Sequence, residues 1–166
     1  MKATPTLSQS EVHLSIKRSL EDGDRLASIF AVDDVEHGQL WVIYLTLNQR
    51  DGALTRTMTK IDRYRPKLAS LAAIDFSAGR FEREMADLYG VELIGHPQPM
   101  RLVKHAHWPE DYYPLRKDAP RSVEFPPTSG GYPFVEVKGD SVYEIPVGPI
   151  HAGMIEPGHF RFSAVG

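Results

Sequence analysis

The chain has 166 residues, a quarter of them charged, with 22 acidic side chains against 19 basic ones and a formal net charge of −3. That balance gives no electrostatic footprint for nucleic acid or for an anionic membrane surface. The absence of cysteine excludes a disulfide framework, a thiolate zinc site and any thiolate-held iron–sulfur or nickel–iron centre built from this chain alone.

An apolar content of 42% suits a globular protein with a real core. The longest apolar run, residues 40–45, is far short of the roughly 20 residues that a spanning helix needs. The first residues carry no apolar stretch behind Lys2, so they do not read as a secretory signal, and a cytoplasmic location is expected.

Ser8 and Glu11 have capping-box spacing ahead of Val12, Ile16 and Leu20, which predicts a helix over 9–20. Residues 25–34 and 39–48 are rich in β-branched and aromatic side chains around a polar, glycine-containing turn, and read as an antiparallel pair. A third strand is expected over 53–61, and 67–76 reads as a further strand. In residues 77–90, Ser77 is the predicted N-cap and Gly90 the C-terminal glycine of a helix. Phe81, Met85, Leu88 and Tyr89 share its apolar face, Glu82 and Glu84 flank that face, and Arg83 and Asp87 lie on the opposite, solvated side.

Residues 91–120 are dense in proline, histidine, aromatics and charge without periodicity, as expected of an ordered strap over another surface. Residues 121–133 have linker composition. Alternation on both sides of Gly139-Asp140 then predicts a two-residue hairpin turn. The whole predicts an α+β fold: a mostly antiparallel sheet with flanking helices, an extended strap and a small C-terminal β-hairpin unit.

Three constellations carry chemistry. His151, Glu156 and His159 offer two imidazoles and a carboxylate, but Pro157-Gly158 rules out the helical zincin arrangement. His96 in Gly95-His96-Pro97 reads as a turn residue that fixes backbone or packs against an aromatic, and His105 and His107 as structural. Arg116, Lys117 and Asp118 read either as a bidentate contact to a partner's carboxylate or as a solvated polar turn.

Glu82-Arg83-Glu84, Asp87, Gly90, Gly95-His96-Pro97 and Pro114-Leu115-Arg116-Lys117-Asp118, in that order, resemble the signature of the 30-kDa subunit family of respiratory complex I (NADH dehydrogenase). Residues 143–162, "YEIPVGPIHAGMIEPGHFRF", look like the opening of the large catalytic subunit of group 4 nickel–iron hydrogenases. In the formate hydrogenlyase type of these enzymes a domain similar to the 30-kDa subunit is fused ahead of that large subunit. The strap lacks the double arginine that many complex I members carry after Gly-His-Pro.

The resemblance implies a 30-kDa-subunit-like domain over 1–120, a linker over 121–133, and a large-subunit-like segment over 134–166. It implies a non-catalytic assembly domain that docks a large catalytic subunit and an iron–sulfur small subunit, without activity of its own. The chain would sit on the cytoplasmic face of the membrane only through its complex, with no nucleic-acid partner. Glu82, Arg83, Glu84, Asp87, Gly90, Gly95, His96, Pro97, Arg116, Lys117 and Asp118 would form contacts within the domain and at the interface. Glu156 and His159 would align with an acid and a histidine near the metal centre, and His151 with a quinone-site histidine. No metal or cofactor is expected on this chain; a nickel–iron centre, iron–sulfur clusters or quinone would belong to partner polypeptide. The alternative is a self-contained metal-dependent enzyme using His151, Glu156 and His159, possibly joined by His96 as a further ligand.

Overall fold

A computed structural model describes residues 6–105, 107–125, 135–155 and 157–166. The chain divides into two compact units, residues 1–128 and 129–166.

In the first unit, helix α1 (Gln9–Glu21) is closed by the expected capping box: Glu11 donates its amide to Ser8 Oγ and its carboxylate accepts the Ser8 amide. Val12 and Ile16 are buried. Strands β1 (Arg25–Asp34), β2 (Gln39–Leu47) and β3 (Leu54–Asp62) form an antiparallel sheet in that order. Period-two alternation puts Leu40, Val42, Tyr44 and Thr46 of β2 inward. The same pattern on β1 sends Ile29, Ala31 and the carboxylate of Asp33 into the interior.

The segment 67–76 is strand only over β4 (Lys67–Ala69). The side-chain amide of Gln9, at the start of α1, lines its edge by donating to the Lys67 carbonyl and accepting the Ala69 amide. The chain then turns, and helix α2 (Phe76–Tyr89) starts earlier than its sequence suggests. Asp75, not Ser77, is the N-cap, because its carboxylate accepts the amides of both Ser77 and Ala78. Gly90 ends α2 with φ of 73°, and strand β5 (Glu92–Ile94) pairs parallel to β4. The strap therefore begins with a short strand instead of being irregular throughout.

The second unit is a hairpin of β6 (Val142–Ile150) and β7 (Gly158–Val165). The predicted turn at Gly139-Asp140 is not its connection: residues 135–139 form no strand, and Val142 closes a turn onto the Gly139 carbonyl just before β6. The strands instead pair across residues 151–157, which sets Ile145 opposite Phe162 and Val147 opposite Phe160. Cross-strand apolar pairs of this kind outweigh a local turn preference.

Candidate functional site

The charged motif residues converge on α2 and the strap. Arg83 and Asp87, one turn apart on the side of α2 away from the sheet, are not solvated: the strap lies over them. Asp87 is 6% exposed, and one of its carboxylate oxygens accepts three successive amides, those of Leu102 (2.8 Å), Val103 (2.6 Å) and Lys104 (3.0 Å). Arg83 takes the carbonyls just before them, with Nε to Met100 at 2.6 Å and Nη2 to Arg101 at 2.7 Å. One helical turn thus holds both polarities of the strap backbone, which has no ladder of its own.

The strap continues into a second clamp. Lys104 is buried, its ammonium donates to the Glu110 carbonyl at 3.0 Å, and it lies 4.4 Å from the centre of the Tyr113 ring. Burial lowers the pKa of Lys104. The Tyr113 ring packs on Gly90, where an added Cβ would meet ring carbons at 2.6–2.8 Å. Gly90 is therefore required twice, by its left-handed backbone and by the ring above it.

Arg116, Lys117 and Asp118 close the network. Arg116 donates to the Tyr89 carbonyl at the end of α2 (2.8 Å) and to the Arg63 carbonyl (2.9 Å). Its hydrogen bonds are thus to backbone within the domain, while Lys117 and Asp118 beside it are exposed. Arg63 itself forks onto Asp33, with Nε–Oδ1 at 2.7 Å and Nη2–Oδ2 at 3.0 Å, and reaches Asp118 at 2.6 Å. The Arg63 and Asp33 side chains are 4% and 1% exposed. The Lys117 amide supplies a third donor to Asp33 at 2.8 Å. Burial pushes the Asp33 carboxyl up, but the Arg63 hydrogen bonds, the Lys117 amide and the Arg63 and Arg116 charges together hold it below the usual range. Arg63 and Asp33 are the residues that sequence reasoning missed. The signal was present: Asp33 falls on the inward-facing positions of β1, where a buried acid demands a cationic partner.

Glu82 has the opposite environment. It is fully buried and accepts the Ser70 hydroxyl (2.5 Å) and the Leu71 amide (2.6 Å), which fixes the turn between β4 and α2. His13 ties α1 to the same turn through the Ser70 carbonyl at 2.9 Å. His96 lies 3.9 Å from Glu82, accepts the Gln98 amide on Nδ1 (2.9 Å) and donates Nε2–H to the Gly79 carbonyl (3.1 Å). It fixes backbone, as a histidine in this turn is expected to do. Burial raises the Glu82 pKa, against the opposing Ser70 and Leu71 hydrogen bonds and the electrostatic influence of the neighbouring His96 and His13 rings. Glu84 is exposed and makes no ion pair among the described residues.

A glutamate raised on folding binds its proton more tightly in the native state. Its contribution is greatest at and below the unfolded value of about 4.3 and declines as pH rises through the folded value. Glu82→Gln is therefore expected to gain stability relative to wild type as pH increases from 4 to 8. Thermal midpoints of both proteins across that range check this, and parallel curves would show that Glu82 carries no such penalty.

In the second unit His151 and His159 lie at the two ends of the hairpin connection. The His151 ring bonds the Ile155 carbonyl, and the Met154 and Ile155 amides return to the His151 carbonyl. The His159 ring packs against Gly148. Glu156 lies outside the described residues. No group of three metal-ligating side chains occurs among the described residues.

A family model described as the respiratory-chain NADH dehydrogenase 30-kDa subunit matches residues 8–124. The chain belongs to this family. Arg83, Asp87, Gly90 and Arg116, which carry the resemblance to that family in the sequence, lie together where the strap is fastened to α2. This 30-kDa-type chain is 32% identical over 147 residues to formate hydrogenlyase subunit 5 of Escherichia coli K12, covering 85% of this chain and 26% of that one. It is 37% identical to an NADH-quinone oxidoreductase subunit of Moorella thermoacetica, over 56% of this chain and 62% of that protein. The chain therefore spans about a quarter of the first relative and under two thirds of the second. Among solved structures, a chain of the archaeal membrane-bound sulfane sulfur reductase complex shares the fold, with a TM-score of 0.59, 24% identity and 68% of each chain covered. No helix among the described residues is long and apolar enough to cross a membrane.

Proposed function

We propose that this chain is a non-catalytic assembly domain of a membrane-associated oxidoreductase complex of the complex I or group 4 hydrogenase kind. It docks a large catalytic subunit and an iron–sulfur subunit and holds them in register for electron transfer. The observation that carries this reading is the use made of the signature charges. Arg83, Asp87, Arg116 and the Arg63–Asp33–Asp118 cluster are spent on backbone and on one another. They make a rigid, preorganised shape, not a reacting centre, and preorganisation lowers the ordering cost of association.

In this reading residues 1–120 form the docking domain, 121–133 the linker, and 134–166 the start of a large-subunit-like segment. The nickel–iron centre or iron–sulfur clusters of such a complex do not fit this chain, whose donor set contains no thiolate. They belong to the companion subunits, and the chain sits at the inner face of the membrane through them. The names of the relatives, a hydrogenlyase subunit and a quinone oxidoreductase subunit, support this placement.

The full chain mixed with the cognate large subunit is expected to co-elute on gel filtration with no turnover by the chain alone. Separate elution, or hydrogen or quinol oxidation by the isolated chain, would overturn the proposal.

A further inference from the structure

The strap covers only the C-terminal half of the outer face of α2. Arg83 and Asp87 lie beneath it, whereas Phe76 and Arg80, two turns and one turn earlier, remain open: Phe76 is 79% exposed and Arg80 is exposed. Beside them a cleft of about 340 Å³ opens between α2 and the turn after β5, lined by Ala72, Phe76, Arg80, His96 and Pro97. That is at the lower end of the roughly 300–1,000 Å³ of small-ligand pockets, room for side chains and not for a large cofactor.

The floor of the cleft is fixed. His96 is held at both ring nitrogens, by Gly79 and Gln98. A Cβ at Gly79 would stand 3.3 Å from His96 Nε2, so only a glycine lets the imidazole settle there without displacement. The rim is a large aromatic with an arginine 5.6 Å from its centre, and Arg80 has no carboxylate partner among the described residues. An exposed Phe–Arg pair over a rigid, partly apolar recess has the composition of an interface hot spot.

Resting on the docking role proposed above, we infer that this cleft receives a segment of a companion subunit presenting a carboxylate beside an aliphatic side chain. The carboxylate takes the guanidinium of Arg80, which has no carboxylate partner among the described residues. The aliphatic side chain enters between Phe76, Ala72 and Pro97. The interface is thereby placed away from Arg116, Lys117 and Asp118, whose contacts are internal.

The test measures dissociation constants of full-length wild type, Arg80→Glu and Phe76→Ala for the cognate large subunit and, separately, the iron–sulfur subunit. Both side chains are exposed, so thermal midpoints should stay within a degree or two. At least tenfold weaker binding of one companion by Arg80→Glu, restored when an acidic residue of that companion is changed to lysine, is the expected result. Wild-type binding that both variants retain within twofold would overturn the cleft assignment and leave the docking role standing. Failure of wild type to bind either companion would remove both.

Discussion

Arg63→Ala is expected to destabilise the domain by about 3–5 kcal/mol, the range for breaking a buried ion pair by removing one partner. Alanine leaves Asp33 inside the fold with a single amide donor, from Lys117, in place of three. The loss also frees the exposed Asp118, but a contact there is worth at most about 1 kcal/mol. Two observations separate this account from simple loss of packing. Asp33 is held low in the native state, so its contribution is present above the unfolded carboxylate value of about 3.9 and is lost as pH falls through the folded value. With Arg63 removed, only the Lys117 amide and the Arg116 charge still oppose burial at Asp33, so its pKa rises relative to wild type and the deficit of the variant should shrink on acidification. In addition, the Asp33→Ala/Arg63→Ala double variant should lose less than the two single variants added together. A deficit that is constant with pH and strictly additive would contradict the buried-pair account.

Asp87→Ala is expected to cost about 2–3 kcal/mol. The wild-type carboxylate accepts three strap amides on one oxygen, and a net hydrogen bond to a charged group is worth about 1.5–3 kcal/mol. The three are not additive, because Leu102 and Val103 are partly exposed and water can replace part of what is lost. Asp87→Asn, which keeps an acceptor oxygen but loses the charge, should fall between wild type and alanine in chemical denaturation. Equal costs for asparagine and alanine would mean that the charge contributes nothing.

The elements that were legible in the sequence are those whose pattern is local. The Ser8–Glu11 box, the alternation of β1 to β3 and the glycine after α2 each announce an element within a dozen residues. What was not legible depends on partners distant in the chain. Strand β5 is three residues long and exists because β4, some 25 residues earlier, offers a parallel edge. The periodicity of α2 separates an apolar face from a polar one, but it does not say that residues 100–104 return to cover Arg83 and Asp87. Arg63 sits in a stretch, "IDRYRP", with no motif, and only its buried partner on β1 gives it meaning. The hairpin turn was misplaced for the same reason: Gly139-Asp140 has the right residues, but Phe160 and Phe162 supply the strand that β6 pairs with. Arg83, Asp87, Gly90 and Arg116 could be singled out in the sequence, while what they do, fastening the strap to α2, needed the fold.

Amide hydrogen exchange at Leu102, Val103 and Lys104 in the full chain, without companions, tests most directly whether the signature charges build the domain's shape from within. The account predicts slow exchange at these three amides in wild type and, in Asp87→Ala, exchange at least tenfold faster there while the amides of β2 stay protected. Fast exchange in wild type, or protection that Asp87→Ala leaves unchanged, would contradict it.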